Sequence, residues 1–351
     1  MKRLSKDDLV HYEKGANIVA RGSGSATPFM SAILDGDQAE IPYLMDPDKI
    51  RGHMASVVKI GATGTQQDWG GYCQQALNML LENNGVSLSD LDGLPPIEIN
   101  RSQMDRALYV CSMLDKPMID GDYVGYTAIP SIPLTYSVEQ GISLKSAYIV
   151  LENTAEGLQE KERGIKGDAY GFDAARELEL TYRRLSKSAG VAAALFLTKQ
   201  PRMLFPHSVT KTIQLGKSIG NRNPIDDILA FTNGAFIGSG ILAAVHDHSS
   251  NDKDFNVKTI RIGNFELGIV NEFLFVDCGG QRIVRAPQII AVVDRHGRGI
   301  RTIQLPDLIG HELFILSIPP SCPVSAQCVA EWDRIFQLHA SSISDRETLA
   351  Q

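Results

Sequence analysis

The sequence predicts an α/β protein, with an amino-terminal α/β domain on a mostly parallel sheet and a carboxyl-terminal part that contains a β-rich barrel or sandwich module. Three patterns carry this. Between Leu94 and Tyr136 an apolar run, a helical period and a second apolar run follow each other, the order of a parallel strand–helix–strand unit. Between Met54 and Asn83 a strand, a small-residue loop and a helix repeat that order. From Ala235 the apolar period becomes that of strands, through ILAAVHDH, NVKTIRIG, ELGIVNEFLFVDC, IIAVVDRHGRG and ELFILSIPP. At 351 residues the chain is long for one core, and two domains, 1–165 and 166–351 with the β-rich module at about 235–320, have ordinary sizes.

Taken in order, Lys6 to Gly15 reads as a helix, capped by Ser5 with Asp7 and Asp8 in its first turn. Ala20 to Pro28 is rich in small residues, so its backbone can approach a ligand closely, and its amides could form an anion-binding nest. Met54 to Ile60 is a strand that leads into the loop Gly61 to Thr65, and a helix from about Gly71 closes at Asn83-Asn84-Gly85. Pro96 to Ile99 reads as a strand, with Ser102 capping a helix that Lys116-Pro117 ends; Pro117 to Asp120 is the next strand. AYIVLE at 147–152 and GVAAALFL at 190–197 are strands, and the polar run 159–171 reads as a loop or an exposed helix start. Helices are expected at 173–188, 209–219 and 225–231, no helix within 235–320, and a helix around Val329, Trp332, Ile335 and Phe336.

The bulk properties narrow the function. Charged residues make up 21% and hydrophobic residues 43%, which fits a folded globular chain rather than a disordered one. A net charge of −7 without a basic face argues against nucleic acid as a partner. No apolar run reaches the roughly 18 residues of a membrane span and MKRLSKDDLV lacks a signal-peptide core, so a cytoplasmic protein without membrane contact is expected. Five cysteines, an odd number without a CxxC pair, are expected to be free thiols.

In open parallel sheets ligands gather beyond the carboxyl ends of strands, which would bring Glu98, Asn100, Asp120 and Asp122 to one mouth. Carboxylates held together there can work as general bases, because repulsion and desolvation raise one pKa towards neutrality, or they can hold a divalent metal that activates water. Glu98, Asp120 and Asp122 are therefore the candidate catalytic residues. The small loops contribute Gly22, Ser23, Gly24, Gly61 and Thr63, and Asn100 and Tyr126 complete the candidate substrate contacts. A single such acid is more often a cap; the group of three carries the functional reading. His246 and His248 precede a turn and fit an exposed hairpin end better than a metal site. Asn271-Glu272 reads as a polar pair within a strand, structural first and a site contributor second.

These segments resemble the bacterial S-methyl thiohydantoin desulfurase-like family over most of the chain. PIEINRSQ and MIDGDYVGYTAIPS look like that family's PIEIGG and VVDADGMGRAFPE, and IVNEFLFV and APQIIAVVD look like its FQNENLVA and PDLICVLD phrases. The resemblance implies hydrolysis of a C–S bond on a five-membered cyclic imide-like ring, and a setting beside hydantoinase-type proteins, either as a partner or as a homo-oligomer. Tyr126 and Ser131 stand where the family motif has Arg and Glu, and Asn100-Arg101 where it has two glycines. Two functions are thus expected: a hydrolase of a small cyclic amide, hydantoin or S-methyl thiohydantoin, or a non-catalytic binding or assembly subunit with the same fold.

Overall fold

The computed structural model describes residues 1–36, 40–60, 69–125, 141–186, 190–220, 222–248, 255–321 and, within 326–337, all but 328, 332 and 335. The order of elements is β1 (Lys2–Arg3), α1 (Lys6–Val19), α2 (Pro28–Asp35), β2 (Tyr43–Met45), β3 (His53–Ile60), α3 (Gly70–Asn83), β4 (Leu91–Gly93), α4 (Arg101–Met113), β5 (Met118–Ile119), β6 (Gly121–Asp122), β7 (Ser146–Thr154) and β8 (Gly157–Lys166). Then come α5 (Gly171–Leu185), β9 (Gly190–Thr198), β10 (Phe205–Pro206), α6 (Ser208–Ser218), α7 (Pro224–Thr232), β11 (Ala235–Asp247), β12 (Val257–Ile262), β13 (Phe265–Val270), β14 (Glu272–Cys278), β15 (Gln281–Arg285), β16 (Ile289–Val293) and β17 (Glu312–Ile318). The α/β class expected from the sequence is the class observed.

The first large sheet runs β4-β3-β9-β7-β8. Its inner strands β3, β9 and β7 are buried on both faces, and the two-residue period sorts their side chains into two cores. Ala55, Val57, Ala147, Ile149, Ala192 and Ala194 meet α3 and α4 through Cys73, Leu77, Met104 and Leu108. Met54, Val58, Tyr148, Val150, Val191 and Ala193 meet α5 through Ala175, Leu178 and Tyr182. Helices therefore cover both faces, as a doubly buried sheet requires. The expectation of a mostly parallel sheet needs correction: only β3 and β4 pair in parallel here, and β3–β9, β9–β7 and β7–β8 are antiparallel. The other parallel pairing among the described strands is β2 with β5, in a small sheet with β1. The 159–171 run is also different, since β8 continues β7 as an edge strand whose exposed charges, Glu160 to Arg163, keep that edge from pairing further.

The second large sheet is the β-rich module. Its seven strands run β15-β14-β13-β12-β11-β17-β16, all antiparallel, and β16 comes round to touch β14 and β15, so the sheet curls into a half-barrel. Leu242, Ile260, Ile262, Phe273, Ile290 and Ile315 fill its interior. The region is not free of helix: Thr302–Leu308 forms a 3-10 segment. β9, from beyond residue 165, is the middle strand of the first sheet, and the core that α3 and α4 build continues into Ile289, Ala291, Leu316 and Ile318 of the half-barrel. Among the described residues no helix is long and apolar enough to cross a membrane.

Candidate functional site

A cavity of about 170 Å³ lies where these parts meet. Its wall is built from the loop after α1 (Gly22 to Ser25), the end of β3 (Val58 to Ile60), the segment Ile97 to Asn100 with the first turns of α4, two residues of α5 (Glu179 and Arg183), and Asn256, Asn271, Glu272, Thr302 and Ile303 from the half-barrel side.

The loop after α1 is held open by its glycines. Gly22 has φ +80, and a Cβ there would lie 2.6 Å from the Phe273 ring and 2.9 Å from the Thr302 methyl, so a side chain is excluded twice over. The Phe273 amide donates to the Arg21 carbonyl at 2.9 Å and the Thr302 amide to the Gly22 carbonyl at 2.9 Å, which sews the loop to the half-barrel. Asn271 turns the chain from β13 to β14 within one residue, at φ 58, a left-handed conformation that asparagine tolerates. The expected mid-strand pair is thus a hairpin tip, and the tip delivers Glu272 to the cavity. On the opposite wall Asn100 is the N-cap of α4: its side-chain oxygen accepts from the Gln103 amide at 2.8 Å and the Ser102 hydroxyl at 3.0 Å. The Asn100 Nδ2 donates to Glu98 Oε1 at 2.6 Å, so one residue caps the helix and aims the carboxylate.

The charges are unusual for so small a space. Burial pushes the Glu272 carboxyl well above its ordinary range, the negative charge of Glu98 adds to this, and the Ser23 hydroxyl and the cations Arg183 and Arg21 oppose it. Burial, reinforced by the nearby Arg106 guanidinium, brings the Lys59 amine down to about 7, where its Nζ lies 4.3 Å over the Trp69 ring. Arg183 forms two bonds to Glu179 Oε1, at 2.9 and 2.7 Å, and lies 4.5 Å over the Phe255 ring. Among the described residues no group of three or more His, Cys, Asp or Glu side chains is arranged to hold a metal ion.

Of the residues singled out from the sequence, Gly22, Ser23, Gly24, Glu98 and Asn100 line this cavity. Asp120 does not. Its carboxylate accepts from the Thr210 amide at 2.9 Å and the Thr210 hydroxyl at 2.7 Å, with His207 Nδ1 at 3.3 Å, and so it caps the first turn of α6. Asp122 lies fully buried behind the wall; burial raises its pKa first, the Glu98 charge adds to that, and the nearby Ser208 hydroxyl and the Val124 and Gly125 amides oppose it. The shared acidic mouth fails to form because 96–99 bends instead of continuing as a strand, although Tyr123 still donates to the Ile97 carbonyl at 3.1 Å. Gly61, Thr63 and Tyr126 lie outside the described residues. His246 and His248 stack with ring centroids 6.4 Å apart, away from the cavity, and His248 Nε2 bonds the Thr259 hydroxyl at 2.8 Å. Among the described residues, Cys73, Cys111 and Cys278 form no disulfide. Sequence reasoning missed Lys59, Gln103, Arg106, Glu179 and Arg183 as cavity residues, because each stands on an element whose sequence reads as ordinary packing.

The chain is similar to the crystal structure of a protein from Chromobacterium violaceum, with a TM-score of 0.69 and 17% identity over 96% of this chain and 97% of the other. At that identity the likeness concerns the fold. No curated protein matches the sequence. Residues 176–324 match the family model described as S-Me-THD-like, C-terminal domain. That stretch runs from α5 through the half-barrel and contains Glu179, Arg183, Asn271, Glu272 and Thr302 of the wall just described. The match of this stretch supports membership of the S-Me-THD-like family.

Proposed function

We propose that the protein hydrolyses a small cyclic amide of the S-methyl thiohydantoin type, with Glu98 and Glu272 as its acid–base pair. The observation that carries this reading is the pairing itself: two carboxyls from different halves of the chain line one cavity, and burial raises the pKa of one of them, Glu272. Glu98 sits at the amino end of α4 with an amide hydrogen of Asn100 on its oxygen, both of which favour negative charge. Carboxyls whose environments push them apart are how one site supplies acid and base together.

In this reading Glu98 takes a proton from water as its oxygen adds to the ring carbon that bears sulfur. The C=N electron pair moves to the ring nitrogen during this addition and re-forms the C=N bond as Glu272 gives its proton to sulfur and the C–S bond breaks. Methanethiol leaves, the ring C–OH passes its proton to the ring nitrogen to become C=O, and the proton held by Glu98 returns through solvent to Glu272. The Gly22 to Ser25 backbone supplies donors for the charge that develops on the ring. The volume suits the substrate: a cavity of about 150 Å³ is enough for benzene, so 170 Å³ holds one small ring with a short substituent.

The test is thiol release from an S-methyl thiohydantoin by the purified protein. Glu98→Gln and Glu272→Gln should each lower kcat/KM by about 100-fold or more, the range of general acid–base catalysis. A chelator in the same assay separates water activated by carboxylate, which keeps its rate, from water activated by a divalent metal. Rates unchanged in both variants would remove the pair from the chemistry, and tight ring binding without turnover would favour the binding-subunit reading instead.

A further inference from the structure

Three residues of the cavity wall each keep a buried polar atom without a hydrogen-bond partner: Gln103 Oε1, Arg106 Nε and Glu272 Oε2. Each of the three residues is more than nine-tenths buried, at 8%, 6% and 7% exposure, so water at the surface does not satisfy them. Leaving a buried donor or acceptor unmade is costly, and such groups collect where a ligand completes them. Two belong together. Gln103 and Arg106 stand three residues apart on α4, hence on one face of it, and they offer opposite halves of a hydrogen-bond pair: a carboxamide oxygen that accepts and a guanidinium N–H that donates. The Arg106 guanidinium is anchored from behind by its bond to the Ser102 carbonyl, which fixes the fork.

We propose that Gln103 and Arg106 read the O=C–N–H edge of a ring, the Arg106 Nε–H donating to the ring carbonyl and Gln103 Oε1 accepting from the ring N–H beside it. A cis-amide in a small ring presents an acceptor and a donor side by side in one plane, which a chain amide, being trans, does not. Apolar side chains beside the pair, Val58, Ile97 and Leu195, leave the ring faces to dispersion contact. The inference rests on the acid–base reading in one respect: with this edge engaged, the ring carbon on the far side of that N–H is the one left for Glu98 and Glu272. It thereby deepens the substrate class to rings whose N–H between the two ring carbons is unsubstituted.

The experiment uses hydantoin, which has the edge but no C–S bond, so that binding is read apart from chemistry. Calorimetric titration of the full chain compares hydantoin with 1-methylhydantoin, which keeps the N–H between the two carbonyls, and with 3-methylhydantoin, which lacks it. Hydantoin and 1-methylhydantoin should bind within a few-fold of each other and 3-methylhydantoin about 10- to 100-fold more weakly, as sites built to bond a polar group reject analogues lacking it. In Gln103→Ala, checked for an unchanged melting temperature, hydantoin should lose that advantage while 3-methylhydantoin is unaffected. Equal binding of the two N-methyl isomers, an equal loss for both ligands in Gln103→Ala, or no hydantoin binding at millimolar concentration overturns the assignment. A protein that binds in the expected pattern yet releases no methanethiol upholds this inference and refutes only the proposed reaction.

Discussion

Glu272 ties the proposed chemistry to stability. Its folded pKa lies above the ordinary 4.5, so between that value and the folded one the native protein holds a proton that the unfolded chain has released. Stability from this group is therefore greatest at or below about 4.5 and is lost as pH rises through the raised value. Glu272→Gln should flatten the decline in melting temperature as pH rises above about 4.5 by a measurable margin; equal slopes in both proteins would show that the carboxyl's pKa is not raised. Lys59 has the opposite sign. With its folded pKa lowered to about 7 from 10.5, the unfolded chain binds the extra proton across that interval, so its contribution rises with pH there. A wild-type curve measured only near neutrality mixes the two slopes, which is why the single variant matters.

At the scale of elements, two helix starts that look alike do different work. Asn100 caps α4 and Asp120 caps α6, and removing either cap should cost about 0.5–2 kcal/mol. Their effects on catalysis should differ. Asn100→Ala also releases Glu98 and should lower turnover along with stability, whereas Asp120→Ala should lower stability by denaturant titration and leave kcat/KM nearly unchanged. A collapse of activity in a folded Asp120→Ala protein would bring Asp120 back into the site. The two acids have similar settings in the sequence, each at the end of an apolar run, and only the partners on α6 separate them.

For the whole molecule, the joint between α1 and α6 holds α1, and with it the start of the loop that lines the cavity. A Cβ on Gly15 would lie 2.1 Å from the Thr212 carbonyl oxygen, and one on Gly216 1.8 Å from the His11 carbonyl oxygen, so the two helices touch backbone to backbone. Alanine in a helix ordinarily gains about 1 kcal/mol over glycine. Here the overlap with backbone should outweigh that gain, and Gly216→Ala should destabilise by about 1–3 kcal/mol net, with a matching loss of hydantoin affinity if helix α1 and its following loop shift together. A stabilised Gly216→Ala protein would show that the helices can part without cost.

The α/β class, most helix positions and the onset of the strand-rich module were legible in the residues alone, because local periodicity and capping are properties of adjacent residues. Glu98, Asn100 and the Gly22 to Gly24 loop were legible for the same reason: a carboxylate before a helix start and a cluster of small residues mark local backbone behaviour. What distance along the chain hides was decided by tertiary structure. The antiparallel course of β9 through the first sheet, the turn at Asn271 that brings Glu272 to face Glu98, and the diversion of Asp120 to α6 depend on contacts between residues about 90 to 170 positions apart, as with Thr210 and Asp120 or Glu272 and Glu98. No local pattern encodes such pairings, since they are chosen by which apolar faces are left to bury once the local elements have formed.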